Sequence, residues 1–190
     1  LVHVIEPMVL PPEYGYMPPY SPADEALQVE AVRKQLLEKA ASLESARQTE
    51  VLVRVGRPWH EVVDAVSESG ADLLVFPEYG AMELASLGGR AVSMDIEAAL
   101  HEVARHQPAV DALYSKLAAK HGVYILGASG PAFDGKRPSN RAVFYGPAGV
   151  LGHQDKQIMT RFERDDWNIA GGRRGRTKPR NMVGIEVAVD

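Results

Sequence analysis

The sequence contains no cysteine. The chain therefore has no disulfide bond, no thiolate metal ligand and no thiol nucleophile. It also has no basic excess, since its formal net charge is −4, so nothing favours nucleic acid or an anionic membrane surface as a partner. No apolar run approaches a membrane span, and the N-terminus lacks the layout of a signal peptide. We therefore expect a cytoplasmic protein with no nucleic-acid or membrane partner.

The residues that are present describe an ordinary globular chain. Its 190 residues are 45% hydrophobic and 24% charged, which allows one domain, or one and a part, around a real core. The six histidines are scattered without metal-ligand spacing, so we predict neither a metal nor a cofactor. The chain opens on Leu1 inside an apparent strand, so we expect a preceding strand to be missing and the sequence to be a fragment.

The N-terminal part alternates strands and helices. Short β-branched segments at 1–5 and 50–55 predict strands, and a proline-rich stretch at 7–22 predicts an extended loop. Ser21 or Asp24 can cap a helix that runs to about residue 43, and a second helix follows Pro58 and ends at Gly70. With the apolar run at 73–76 the order becomes strand, helix, strand, helix, strand, which predicts a parallel sheet with right-handed crossovers.

An acid follows the apolar run. Pro77 stops the strand, and Glu78 stands just past its carboxyl end, where open α/β sheets place their ligands. Beyond it we predict a helical region broken at Pro108, a strand from Val123, a hairpin turn at Asp134-Gly135 and a return strand over 140–145. This second part predicts an antiparallel extension of the sheet.

The first part resembles the universal stress protein family. The resemblance covers about residues 1–75 and is carried by the long helix and by three segments, Leu1-Val-His-Val-Ile-Glu-Pro7, Val53-Arg-Val-Gly-Arg-Pro58 and Gly70-Ala-Asp-Leu-Leu-Val75. Members of that family often bind ATP through a glycine-rich loop after their fourth strand. Here Pro77, Glu78 and Glu83 stand where that loop would run, so we do not predict nucleotide binding from this part.

The second part resembles the carbon–nitrogen hydrolase, or nitrilase, superfamily over roughly residues 70–172. Three blocks carry the resemblance in the order and spacing of that family: Phe76-Pro-Glu-Tyr79, the hairpin from Asn140 to Gly149, and the segment from Gly152 to Trp167. The resemblance implies a small-molecule amide or nitrile as substrate. It also implies association into a homo-oligomer.

The family's catalytic residues can be carried over by position. The resemblance makes Glu78 the general base, Lys156 the cation that stabilises the tetrahedral intermediate, and Glu163 a further acid that helps to hold the lysine and the substrate. The family's cysteine nucleophile belongs on a strand for which the nearest match is 183–190, which puts Ala188 at the position of the missing cysteine.

Three explanations account for this alanine: a pseudoenzyme, an engineered cysteine-to-alanine replacement, or a chimeric or frame-shifted end that only resembles the family's strand. We favour the last, because the basic run at 173–180 is unlike the family and the chain opens inside a strand. An alanine methyl group cannot attack a carbonyl carbon. We therefore expect that the chain, as given, cannot hydrolyse an amide through a thioester.

These observations predict an α/β fold with two parts. Residues 1–75 form a parallel β-α-β-α-β unit like that of universal stress proteins, and residues 70–190 form a partial, nitrilase-type α-β-β-α sandwich. The leading functional hypothesis is a carbon–nitrogen hydrolase relative that lacks its nucleophile. The alternative is a binding or regulatory protein of the universal stress type that takes an adenine nucleotide.

Overall fold

The computed structural model describes residues 1–7, 22–42 and 49–172. The chain divides into two compact units, Leu1–Ala71 and Asp72–Asp190. The proline-rich stretch predicted as a loop and the C-terminal segment with Ala188 lie outside the described residues. The predicted domains, 1–75 and 70–190, stay a prediction.

The first unit is a two-stranded parallel sheet with two helices. Its elements are β1 (Val2–Ile5), α1 (Pro22–Ser42), β2 (Leu52–Val55) and α2 (Pro58–Ser69). Strand β1 pairs in parallel with β2, while α1 contacts β2 and α2 contacts β1. Helix α2 starts at Pro58, whose missing N–H would have no helical partner in any case. It ends as predicted at Gly70, which has a left-handed φ of 62° and donates its N–H to the Val66 carbonyl.

The second unit contains a five-stranded sheet and a long helix. Its elements are β3 (Leu73–Val75), a 3₁₀ segment (Gly80–Gly88), α3 (Arg90–Ser93), α4 (Ile96–His121), β4 (Tyr124–Leu126), β5 (Gly130–Ala132), β6 (Ser139–Gly146), β7 (Gly149–Asp155) and α5 (Arg161–Asp165). Strand β6 is central, because it pairs antiparallel with β4, β5 and β7. The predicted hairpin at Asp134-Gly135 is the connection between β5 and β6.

The α/β fold class is confirmed, but β3 has a different partner from the one that the sequence suggests. The strand order predicts that β3 extends the sheet of β1 and β2. In the structure β3 instead pairs in parallel with β4, with Leu73 opposite Tyr124 and Val75 opposite Leu126. The reason is that helix α4 makes β3 and β4 a β-α-β unit of their own, and an apolar run alone does not say which parallel neighbour it takes.

Helix α4 also differs from its prediction, since it continues through Pro108 from Ile96 to His121. A proline removes one intrahelical donor, and here buried residues on both sides of it, including Val103 and Ala118, hold the two halves on the core. Gly122 ends the helix as predicted, with a left-handed φ of 66°. Among the helices of the described ranges, none combines the length and apolar character needed to cross a membrane.

Candidate functional site

The carboxyl ends of two strands and a short helix bring three of the predicted residues together. Glu78 follows β3, Lys156 follows β7, and Glu163 lies on α5. The Lys156 Nζ atom is 2.9 Å from Glu78 Oε1 and 2.9 Å from Glu163 Oε2. The fourth predicted residue, Ala188, lies outside the described residues.

Backbone hydrogen bonds fix the segments that carry these side chains. The N–H of Lys156 donates to the Asn140 carbonyl at 2.8 Å, so the β6–β7 ladder extends one residue beyond β7. The Lys156 carbonyl in turn accepts the N–H of Gly172 at 2.7 Å. On the other side, the N–H of Tyr79 donates to Ser129 Oγ at 2.9 Å. Tyr79 has a left-handed φ of 55°, which is a strained conformation for a residue with a bulky side chain. This backbone conformation sets the direction of the chain immediately after Glu78.

Glu163 is a fully buried carboxylate with four donors around it. Its side chain is 0% exposed. Oε1 accepts the Tyr79 hydroxyl at 2.6 Å, and Oε2 accepts Lys156 Nζ, the Thr160 hydroxyl at 2.6 Å and the Thr160 N–H at 2.8 Å. Burial alone would raise the pKa of Glu163, but the hydrogen bonds from Thr160, Tyr79 and Lys156 outweigh it and lower the pKa to about 2.

The pKa values of Tyr79 and Lys156, two partners of Glu163, are raised rather than lowered. Burial, followed by the hydrogen bond to the Glu163 carboxylate, raises the pKa of the Tyr79 hydroxyl. Burial lowers the pKa of Lys156, yet the hydrogen bonds to Glu78 and Glu163 outweigh this and leave its pKa raised. At neutral pH the Lys156 ammonium therefore lies against the ionised Glu163 carboxylate, which also accepts the hydroxyl of a neutral Tyr79 phenol.

Glu78 is the accessible member of the group. Its side chain is 35% exposed. Oε1 accepts both Lys156 Nζ at 2.9 Å and Asn140 Nδ2 at 2.8 Å. Within the described ranges Oε2 has no hydrogen-bond partner, so one carboxylate oxygen remains available to exchange a proton with a ligand.

Sequence reasoning left several members of the site without a role. Tyr79 and Asn140 stand in two of the three blocks that carry the hydrolase resemblance, but only the folded chain shows them bonded to Glu163 and Glu78. Ser129, which could suggest a replacement nucleophile, instead accepts the Tyr79 N–H. The described part of the chain contains no group of three or more His, Asp or Glu side chains that could hold a metal ion.

The family comparison concerns the first part of the chain. The model of the universal stress protein family matches residues 1–88. The predicted resemblance over 1–75 is confirmed, and the match continues through the segment that contains Glu78. The comparison with curated proteins found no match.

Solved structures similar to this chain include a carbon–nitrogen hydrolase and several amidases. The carbon–nitrogen hydrolase of Helicobacter pylori G27 is 17% identical, with a TM-score of 0.47. The match covers 61% of this chain and 38% of the hydrolase chain. A mutant amidase from Nesterenkonia sp. AN1, described as carrying acrylamide at its active-site cysteine, is 18% identical, with a TM-score of 0.37 over 60% of this chain and 41% of its own. Another mutant of that amidase, of the nitrilase superfamily, is 20% identical, with a TM-score of 0.36 over 61% of this chain and 44% of its own.

The chain spans less than half the length of each of these three structures. The predicted resemblance to carbon–nitrogen hydrolases is confirmed as a similarity. At these identities and scores it carries no argument about activity.

Proposed function

We propose that the second unit is a carbon–nitrogen hydrolase relative that retains the acid–base and charge-stabilising residues but lacks the nucleophile. The observation that carries the proposal is the Lys156 ammonium held 2.9 Å from each of two carboxylates of opposite accessibility, Glu78 and the buried Glu163. One carboxylate can reach a ligand, while the other holds the cation.

The three side chains divide the chemistry of amide hydrolysis among them. Glu78 is the general base, because its Oε2 is free of hydrogen bonds within the described ranges and its side chain is accessible. Lys156 has three N–H donors, two of which go to the carboxylates, and the third can stabilise the negative charge that develops on a carbonyl oxygen. Glu163 stays ionised at neutral pH and keeps the ammonium charged and oriented.

The nucleophile is absent from the whole chain, because the sequence has no cysteine. In a complete enzyme of this kind, the carboxylate takes the proton of a thiol, the sulfur attacks the carbonyl carbon, and the amine leaves as a thioester forms. The resemblance puts Ala188 at the cysteine position, and an alanine methyl group can perform none of these steps. We therefore propose a site that binds an amide or nitrile without hydrolysing it, in a cytoplasmic protein that forms homo-oligomers.

The test is the substitution Ala188→Cys, assayed by ammonia release from a panel of simple amides and nitriles. The introduced thiol is the only one in the chain, so a surface substitution, Ser67→Cys, is a matched control for unspecific thiol chemistry. Turnover in Ala188→Cys that disappears on adding Glu78→Gln supports the proposal. A folded Ala188→Cys protein without turnover sinks the assignment of residue 188 to the site.

A second candidate function is nucleotide binding of the universal stress type, supported by the family match over residues 1–88. The carboxylates of Glu78 and Glu83 count against it, since they occupy the segment where a phosphate-binding loop of that family would run. Thermal unfolding with millimolar ATP separates the two functions, because a ligand that binds only the folded state raises the melting temperature. A rise of several degrees supports nucleotide binding, and an unchanged melting temperature rejects it.

A further inference from the structure

One residue of the central strand contacts both residues of the Glu78–Lys156 ion pair, the side chain of Glu78 and the backbone of Lys156. We propose that Asn140 is a positioning residue that fixes the Glu78 carboxylate against the Lys156 ammonium. Only the catalytic meaning of this proposal depends on the proposed hydrolase function. The placement of the Glu78 and Lys156 side chains can be measured without the Ala188→Cys substitution.

Asn140 makes the two contacts through different parts of the residue. Its side-chain Nδ2 donates to Glu78 Oε1 at 2.8 Å. Its backbone carbonyl accepts the N–H of Lys156 at 2.8 Å. Because β6 pairs with β4, β5 and β7, both contacts start from a strand that is held on two sides. One rigid point therefore sets the positions of both charged residues.

The burial of Asn140 indicates that stability is not the reason for an asparagine here. The residue is 2% exposed. Its Oδ1 atom is also buried and has no hydrogen-bond partner among the residues that the structure describes. An unpaired buried acceptor lowers stability, and an apolar side chain of the same shape would avoid that loss. The asparagine amide instead provides the hydrogen bond to Glu78, which an apolar side chain could not make.

Glu78 depends on the hydrogen bond from Asn140 more than Glu163 depends on any single one of its hydrogen bonds. Thr160 and Tyr79 hold Glu163 independently of Lys156. Within the described ranges Glu78 has only two polar partners, the amide of Asn140 and the ammonium of Lys156. Without the amide, the partly exposed Glu78 side chain is held by one lysine alone, and we expect it to turn towards water.

The direct test follows the Lys156 ammonium by NMR titration, with its signal assigned through its loss in Lys156→Arg. Glu78 and Glu163 are the titratable groups that pair with it, and the neutral Tyr79 phenol contacts the other oxygen of Glu163. We expect Asn140→Ala, and Asn140→Ser as a second variant, to lower the pKa of Lys156 because Glu78 leaves. The control is Tyr145→Phe, which removes a buried hydrogen bond from the same strand, that of the Tyr145 hydroxyl to Asp111, away from the site. An unchanged Lys156 titration in both folded Asn140 variants overturns the proposal.

The catalytic part is tested in the Ala188→Cys background. We expect Asn140→Ala to reduce kcat/KM by about 10²-fold, mostly through kcat, because a displaced base costs about that much. Tyr145→Phe should leave kcat/KM unchanged. An Asn140→Ala variant that keeps full activity contradicts the proposal. If a folded Ala188→Cys protein is itself inactive, the assignment of residue 188 to the site fails, while the Lys156 titration still decides the role of Asn140.

Discussion

Replacing Glu163 with glutamine removes one negative charge from the centre of the site and little else. Glutamine keeps the length and shape of the side chain and one acceptor oxygen. It cannot act as an anion towards Lys156, Tyr79 and Thr160, which together donate four hydrogen bonds to the carboxylate. We therefore expect Glu163→Gln to fold and to lose stability at neutral pH.

The size of the loss follows from the pKa of Glu163. The folded chain lowers this pKa from an ordinary 4.5 to about 2. A difference of that size corresponds to at most about 3 kcal/mol, because the Glu163 side chain is fully buried but its partner Lys156 is partly exposed to solvent. Because the folded pKa is the lower one, the stabilisation is complete above pH 4.5 and disappears as the pH falls through about 2.

The assay is urea unfolding followed by tryptophan fluorescence. The chain has two tryptophans, and Trp167 packs edge-on against Tyr79 with ring centroids 5.2 Å apart. In a Trp59→Phe background the fluorescence reports only on the unit that contains the site. The expected difference in the free energy of unfolding between parent and Glu163→Gln is up to about 3 kcal/mol at pH 7 and smaller at pH 3.

The control for this prediction is Glu97→Gln, which removes an exposed carboxylate of the same unit and should cost only a few tenths of a kcal/mol. A Glu163→Gln variant as stable as the parent at pH 7 would refute the reasoning. A loss that is equal at pH 7 and pH 3 would do the same, since it would show that the charge of Glu163 is not what stabilises the fold.

Three further substitutions test the site and its supports by the same urea unfolding. Lys156→Met leaves the buried Glu163 carboxylate without its cation, so we expect a loss of about 1–3 kcal/mol and a raised pKa of Glu163. Asp95→Ala removes the cap that accepts the Ala98 N–H at 2.9 Å, which should cost about 1 kcal/mol. Gly122→Ala should also cost about 1 kcal/mol because of its left-handed φ, although its Cβ would meet no atom. An unchanged midpoint in any of the three contradicts the contact assigned to that residue.

Local chemistry made the ends of elements predictable from the sequence. Gly70 and Gly122 both end helices with a left-handed φ, which only a residue without a Cβ adopts freely. The Asp134-Gly135 turn likewise indicated the hairpin that β5 and β6 form. Each of these predictions depends on one or two adjacent residues.

The pairing of strands that are distant in the sequence was harder to predict. The apolar run that forms β3 indicates a buried strand but not its neighbour, so its pairing with β4 had to come from the structure. Leu27 shows a related limit, because helical spacing places it on an apolar stripe of α1, yet it is 71% exposed. Periodicity identifies a face, whereas burial depends on what the rest of the chain brings to it.

The residues of the candidate site also fall into those that the sequence predicts and those that only the structure shows. Glu78, Lys156 and Glu163 were predicted from short sequence blocks, and the structure brings the three side chains together. The contacts of Asn140 and Tyr79 span 62 and 84 residues of chain, and no local pattern marks either side chain as part of the network. Their roles emerge only when the strand ends meet.

We propose that the site lacks only its nucleophile, and the measurement that tests this most directly is the rate at which a thiol introduced at residue 188 adds acrylamide. In Ala188→Cys, intact mass should show a single adduct that forms at least about tenfold faster than in the surface control Ser67→Cys, because an oriented base and amide site accelerate the reaction. Adding Glu78→Gln should remove the difference. Equal rates in the two single-thiol proteins would contradict the account.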